Sequence, residues 1–106
     1  MVELQELKKI YIMQRLTDPM LEKIRPLVSV RRYNDRDVVF REGEEATEFF
    51  ILYSGLILLE VSASPIMDIT IGTIKPGYSF GWSALMQPPA HYTTHAISSG
   101  ASEVFT

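Results

Sequence analysis

The residues of this chain that are best suited to chemistry lie close together, between positions 77 and 94. Gly77 and Gly81 allow the backbone to turn sharply and to come close to a ligand. Residues 83–85 are expected to start a short helix whose first N–H groups, which have no partner inside the helix, point at an anion. A hydroxyl of Thr93 or Thr94 would add a further donor. Together these residues favour the capture of a small anionic ligand.

Catalytic residues in a recognised arrangement are missing from the sequence. The chain has no cysteine, no Gly-x-Ser-x-Gly nucleophile motif, no Walker-type phosphate loop and no pair of carboxylates with a neighbouring base. The chain is therefore predicted not to be an enzyme.

The two histidines, His91 and His95, are four residues apart, a spacing that on a helix would suggest a metal-binding pair. The residues between them, Tyr92, Thr93 and Thr94, favour a strand instead, where positions four apart lie far from each other. Two histidines without a nearby carboxylate also make a poor metal site. No metal or other cofactor is therefore predicted.

The composition indicates one globular domain over residues 1–106. Hydrophobic residues make up 46% and charged residues 22% of the chain, an ordinary balance for a protein with a packed core. The formal charge of −3 argues against binding of DNA or RNA by this portion of the chain. The charged start of the chain is unlike a signal peptide, and no apolar stretch is long enough to span a membrane. A cytoplasmic location without a membrane segment is therefore expected.

Residues 1–27 are predicted to be helical. Apolar residues at helical spacing form one stripe on a first helix: Leu4, Leu7, Ile10 and Tyr11. Thr17 and Asp18 directly before Pro19 are typical of the start of a second helix. Because Pro26 cannot lie far inside a helix, this second helix should end near residues 24–25. Its buried side is expected to include Leu21, Ile24 and Leu27.

Residues 28–106 are predicted to form short strands that are separated by turns. The expected strands lie on both sides of a turn at Asn34-Asp35, at residues 48–53 and 56–61, within residues 66–74, and at residues 103–105. Residues 62–65 are expected to be a loop, and Lys75-Pro76-Gly77 a tight turn with Gly77 at positive φ. This pattern favours a β-sandwich or a β-barrel.

Three stretches, taken in order, resemble the cyclic nucleotide-binding domain family, in particular its bacterial catabolite-activator-like regulators. Residues 32–44 (RYNDRDVVFREGE) are similar to the family's opening strand pair, and residues 49–57 (FFILYSGLI) to the hairpin that follows. Residues 75–85 (KPGYSFGWSAL) resemble the entry to the family's phosphate-binding cassette, a loop and short helix that hold the cyclic phosphate. The resemblance covers nearly the whole chain.

The resemblance implies a mainly β fold: a β-roll, or double-stranded jelly roll, over residues 28–106, preceded by short N-terminal helices. It also implies a C-terminal lid helix, which is missing from this chain, and an effector beyond residue 106, such as a DNA-binding domain. Family members often dimerise, so a homodimer of the full-length protein is a further implied partner.

The resemblance also implies a ligand, cAMP or cGMP, and a set of residues that bind it: Phe80, Gly81, Trp82, Ser83, Ala84, Leu85, His91, Tyr92, Thr93 and Thr94. In the family, a glutamate after the Phe-Gly pair accepts the ribose 2′-hydroxyl, and an arginine further along pairs with the phosphate. Here Trp82 and His91 occupy those two positions. Histidine is mostly neutral at pH 7, and loss of a bidentate charged pair costs about 2 kcal/mol.

Two functions therefore stay open. The chain is a sensor that couples cyclic nucleotide binding to an effector, or it is a degenerate roll that binds another small anion or serves as an interaction or dimerisation module. Trp82 either stacks on the ligand or packs in the core, and His91 either donates to a phosphate or lies in a solvent-facing loop. Tyr92 is expected on a strand, with its ring half buried.

Overall fold

A computed structural model describes the chain from residue 2 to residue 106, apart from the side chains of residues 11 and 12. The helical part consists of helix α1 (Leu4–Lys8), a 3-10 helix (Tyr11–Arg15), helix α2 (Asp18–Ile24) and a second 3-10 helix (Arg25–Leu27). None of the described helices is both long and apolar enough to cross a membrane.

Helix α2 begins and ends where the sequence predicts. The Thr17 hydroxyl accepts a hydrogen bond from the Met20 N–H at 3.4 Å, which caps the first turn. Leu21 faces the interior and is 1% exposed, as expected. The prediction that Leu27 is buried is wrong, because the chain tightens into a 3-10 helix at Arg25 and turns this side chain outward, where it is 79% exposed.

Eight strands follow, and they form two four-stranded antiparallel sheets. The strands are β1 (Val30–Tyr33), β2 (Val38–Phe40), β3 (Phe50–Ser54), β4 (Ile57–Ser64), β5 (Met67–Ile74), β6 (Ser79–Phe80), β7 (His95–Ser98) and β8 (Ser102–Phe105). The first sheet has the order β1-β8-β3-β6 and the second β2-β7-β4-β5. This arrangement is the expected mainly β roll with short N-terminal helices.

The turns are only partly as predicted. Gly77 has a φ of 92°, which confirms the tight turn before β6. The predicted loop at residues 62–65 is wrong, because β4 continues to Ser64 and pairs with β5 up to the Ser64–Met67 pair. Strand propensity at these small polar residues is weak, but the ladder to β5 supplies the backbone hydrogen bonds that stabilise the hairpin.

Strand β3 contributes to two hydrophobic clusters, one on each side of its sheet. Phe50 and Leu52 face the interior of the roll, where they join Phe40 and Phe80. Ile51 faces the other way and packs under the N-terminal helices, in a cluster of buried apolar residues: Val2, Leu7, Ile10, Leu21, Ile51 and Phe105. Because side chains alternate along a strand, this one segment joins the helices to the roll.

Gly55, in the turn between β3 and β4, is required for this hairpin. Its φ is 98°, and a Cβ atom at this position would collide with Ser102 Oγ and lie 2.6 Å from the Ala101 carbonyl oxygen. We expect Gly55→Ala to lower the free energy of unfolding by about 3 kcal/mol in urea titrations, because backbone strain adds to a collision with backbone atoms.

Gly43 is the matched control. It has a φ of 90° but nothing within 4 Å of a built Cβ, so Gly43→Ala should cost only the backbone strain of about 1 kcal/mol. If both variants lost the same free energy of unfolding, the close approach of Gly55 to Ala101 and Ser102 would contribute nothing to stability.

Candidate ligand pocket

A pocket with a volume of about 260 Å³ lies between the two sheets. Strands of both sheets contribute to it. Residues from both ends of the segment 80–94, which we call the cassette, contribute as well. Its lining residues are Phe40, Leu59, Ile74, Ser79, Phe80, Gly81, Trp82, Ser83, Tyr92, Thr93 and Thr94. The volume is slightly below the usual range for drug-sized ligands, about 300–1,000 Å³, and suits a smaller molecule.

Gly81 brings the backbone of the cassette close to the wall of the roll. It follows β6 with a φ of 77°, and an added Cβ would lie 3.1 Å from both the Glu48 carbonyl oxygen and Phe50 Cδ2. A side chain here would therefore push the cassette away from the roll. A 3-10 helix (Trp82–Leu85) begins directly after Gly81, as the sequence predicts for residues 83–85.

Tyr92 forms the opposite wall and is fixed at both ends of its side chain. Its ring stacks on Phe40 with centroids 3.8 Å apart and an interplanar angle of 11°. Its hydroxyl donates to the Glu48 carbonyl oxygen at 2.7 Å and accepts from the Glu48 N–H at 3.1 Å. The expected half-buried strand position is wrong: Tyr92 is 6% exposed and precedes β7. The cause is this double hydrogen bond, which draws the ring inward.

Trp82 lies at the mouth of the pocket. Its side chain is 56% exposed, which excludes the packed core position that the sequence left open. The indole meets Phe49 edge to face, with ring centroids 4.9 Å apart. Trp82 thus lines the pocket with an aromatic surface that a planar ligand can cover.

Seven of the ten residues expected from the sequence line this pocket, whereas Ala84, Leu85 and His91 do not. His91 is exposed, and its backbone forms an antiparallel bridge with Glu45. The residue expected to replace the phosphate-binding arginine thus lies outside the lining, and its neighbour Tyr92 faces inward.

Four lining residues were not identified from the sequence: Phe40, Leu59, Ile74 and Ser79. Three of them are apolar residues of β2, β4 and β5 and point to the interior of the roll. Alternation along a strand could have assigned them to the inner face, but no pattern in one sequence shows which part of that face stays unfilled.

The chemical character of the lining is apolar with several hydroxyl groups. No lining residue carries a charged side chain. Apolar side chains form most of the wall, and the polar groups besides the Tyr92 phenol are the hydroxyls of Ser79, Ser83, Thr93 and Thr94. Such a pocket can hold a ring between apolar walls and exchange hydrogen bonds with neutral polar groups.

Charged residues lie near the Tyr92 wall but not inside the pocket. The Arg31 guanidinium donates to both carboxylate oxygens of Glu48, with Nη1 and Oε1 3.1 Å apart. The hydrogen bond to Glu48, followed by that to Tyr33, raises the pKa of Arg31 above its ordinary value. Among the residues that the structure describes, no group of three metal-ligating side chains lies together.

Two antiparallel sheets around a pocket that is closed on one side by a short loop-and-helix segment define a β-roll with an internal pocket. The chain belongs to the cyclic nucleotide-binding domain family, whose sequence profile matches residues 30–106. The fold of this family is regulatory rather than catalytic.

Comparisons with individual proteins agree with this assignment. The human cGMP-dependent protein kinase 2 is 32% identical over 81 residues, which are 76% of this chain but only 11% of the kinase. The chain thus spans about a tenth of that relative. A Geobacter metallireducens structure named for cyclic nucleotide binding is 27% identical, with a TM-score of 0.82, and the match covers 99% of this chain and 74% of that one.

A third match shows the fold alone. The regulatory subunit of a cAMP-independent protein kinase A from Trypanosoma cruzi, bound to guanosine, superposes with a TM-score of 0.84 at 11% identity. The match covers 96% of this chain and 36% of that chain.

The Tyr92 hydroxyl can be tested by removing one oxygen atom. We expect Tyr92→Phe to keep the stacking on Phe40 but to lower the free energy of unfolding by about 2 kcal/mol, because both backbone groups of Glu48 lose a partner. Urea unfolding followed by circular dichroism would measure the loss.

Tyr53→Phe is the control for this substitution. The Tyr53 ring stacks on Phe105 with centroids 5.0 Å apart, and its hydroxyl has no hydrogen bond within the described residues. Its stability should change by less than about 0.5 kcal/mol. If Tyr92→Phe were equally mild, the hydroxyl would not hold the pocket wall.

Proposed function

We propose that this domain is a regulatory small-molecule sensor rather than an enzyme, and that its ligand occupies the pocket between the two sheets. The observation that carries this proposal is the position of that pocket. The cassette, which resembles the family's ligand-binding segment, supplies its lining at Phe80–Ser83 and at Tyr92–Thr94. The floor is formed by strands of both sheets.

The proposed ligand contains a nucleoside, with or without a cyclic phosphate. Family membership supports this class, and so does the relative that is named a cGMP-dependent kinase. The apolar wall of Phe40, Leu59 and Ile74 suits a planar base, and the hydroxyls of the cassette suit the polar groups of a sugar. cAMP and cGMP are the ligands implied by the family. Because the Trypanosoma cruzi fold neighbour is bound to guanosine, nucleosides are tested together with cAMP and cGMP.

Binding would act through the cassette. Strand β6 is only two residues long, lies at the edge of its sheet and pairs only with β3. The 3-10 helix Trp82–Leu85 follows directly after this short edge strand. A ligand that contacts Trp82 and Ser83 would favour one position of this helix and so shift a two-state equilibrium. The proposal includes an effector that responds to the ligand, such as a DNA-binding domain beyond residue 106. It also includes a homodimer of the full-length protein and a cytoplasmic location.

One observation favours a second candidate, an interaction module without a ligand. Trp82, Leu85 and Met86 are 56%, 60% and 66% exposed, so a short row of large apolar side chains faces solvent. Such a row fits a surface that another chain covers. Ligand binding by the isolated domain separates the two candidates.

Trp82 makes the sensor proposal directly measurable. It is the only tryptophan of the chain and lines the pocket, so a bound ligand should change its fluorescence emission. We expect at least one of four probes (cAMP, cGMP, adenosine and guanosine) to produce a saturable change. Thr93→Phe, which adds a ring at the exposed rim, should weaken binding by at least about tenfold.

His91→Phe is the matched control, because it adds a similar ring two residues away and outside the lining. It should leave the dissociation constant within about twofold. If the folded protein showed no change with any of the four probes at millimolar concentration, the sensor proposal would fail and the interaction module would be favoured.

A further inference from the structure

We infer that the pocket selects an uncharged nucleoside over the corresponding cyclic nucleotide. This inference rests on the proposed function, since it names the charge of the ligand that the same pocket takes. It starts from the lining, which has aromatic, aliphatic and hydroxyl side chains but no arginine, lysine or histidine. A phosphate anion in this pocket would have to give up water without gaining an opposite charge.

The one imidazole of the cassette faces the wrong way to supply that charge. His91 is exposed and its backbone is bridged to Glu45, while the next residue, Tyr92, is buried. The double hydrogen bond to Glu48 holds the Tyr92 ring inside the roll, while the side chain of His91 lies in solvent.

The segment behind the Tyr92 wall is acidic. Residues 42–48 carry four glutamates, and their backbone is bonded directly to the cassette. The Gly43 N–H donates to the Tyr92 carbonyl at 2.8 Å, the Tyr92 N–H to the Glu44 carbonyl at 2.9 Å, and the Ala46 N–H to the Ala90 carbonyl at 2.8 Å. The Glu48 carboxylate is paired with Arg31, and Glu42 Oε1 lies 4.0 Å from His95 Nε2. The carboxylates of Glu44 and Glu45 are exposed, so this segment brings no positive charge to the wall and its screened negative charge does not favour an anion.

The groups that do line the pocket match a neutral ligand. The hydroxyls of Ser79, Ser83, Thr93 and Thr94 both donate and accept hydrogen bonds, so they can pair with ribose hydroxyls or a base edge. The backbone N–H groups of Trp82 and Ser83 precede the first bond of the 3-10 helix, from the Ala84 N–H to the Gly81 carbonyl. Two such donors do not replace a guanidinium that binds two phosphate oxygens with full charge.

Two matched pairs of probes test this inference on the 106-residue chain. Guanosine and cGMP share base and sugar and differ in the cyclic phosphate, as do adenosine and cAMP. We expect the nucleoside of at least one pair to bind at least about tenfold more tightly than its cyclic nucleotide, measured by Trp82 fluorescence and by calorimetry.

Thr93→Arg and His91→Arg form the matched pair of variants. Thr93 lines the pocket at its exposed rim, so an arginine there should raise the affinity for the cyclic nucleotide relative to that for its nucleoside by at least about tenfold. Arginine at position 91, outside the lining, should leave the preference as it is in the unsubstituted chain. Circular dichroism would show that both variants are folded.

The outcomes separate this inference from the proposed function. If cAMP or cGMP bound the unsubstituted chain as tightly as its nucleoside, the inference would be overturned and the sensor proposal would stand. If His91→Arg alone raised cyclic nucleotide affinity, the outward position of residue 91 in the bound state would be disproved, and the inference with it. If none of the four probes bound, both proposals would fail together.

Discussion

The hydroxyl group of Tyr92 is the constraint on which the pocket depends. It binds both the N–H and the carbonyl of Glu48, a residue that precedes β3 and belongs to no strand. Backbone groups of such a segment need partners when the chain folds, and here one side chain provides both. Gly81 approaches the same carbonyl from the other end of the cassette. The two walls of the pocket are thus positioned against a single residue.

This arrangement has consequences for stability and for chemistry. The Tyr92 ring extends the aromatic core by stacking on Phe40, whose ring also lies near Phe50 and Phe80. The same ring occupies the inward position at this point of the cassette, so its neighbour His91 is turned to solvent. A residue that strengthens the core thus also keeps the imidazole of His91 out of the pocket lining.

The fold could be predicted well from the sequence, because its signals are local. Thr17 and Pro19 mark the start of α2, and Gly77 marks a turn that needs positive φ. The strand pairing could not be read in the same way. Strands β1 and β2 are neighbours along the chain but lie in different sheets, and β4 continues through Ser62 and Ser64 because β5 pairs with it. Such pairing depends on distant partners that a single sequence does not reveal.

For the candidate site, too, the sequence predicts the segment but not the orientation of its side chains. Family membership alone therefore does not determine which side chains meet a ligand. The resemblance predicts which stretch of chain forms the cassette, and most of its residues do line the pocket. Which residue of the pair His91 and Tyr92 points inward depends on the hydrogen bonds to Glu48, more than 40 positions earlier in the chain. These hydrogen bonds place a phenol at the pocket wall and leave the imidazole of His91 in solvent, so no basic side chain lines the pocket.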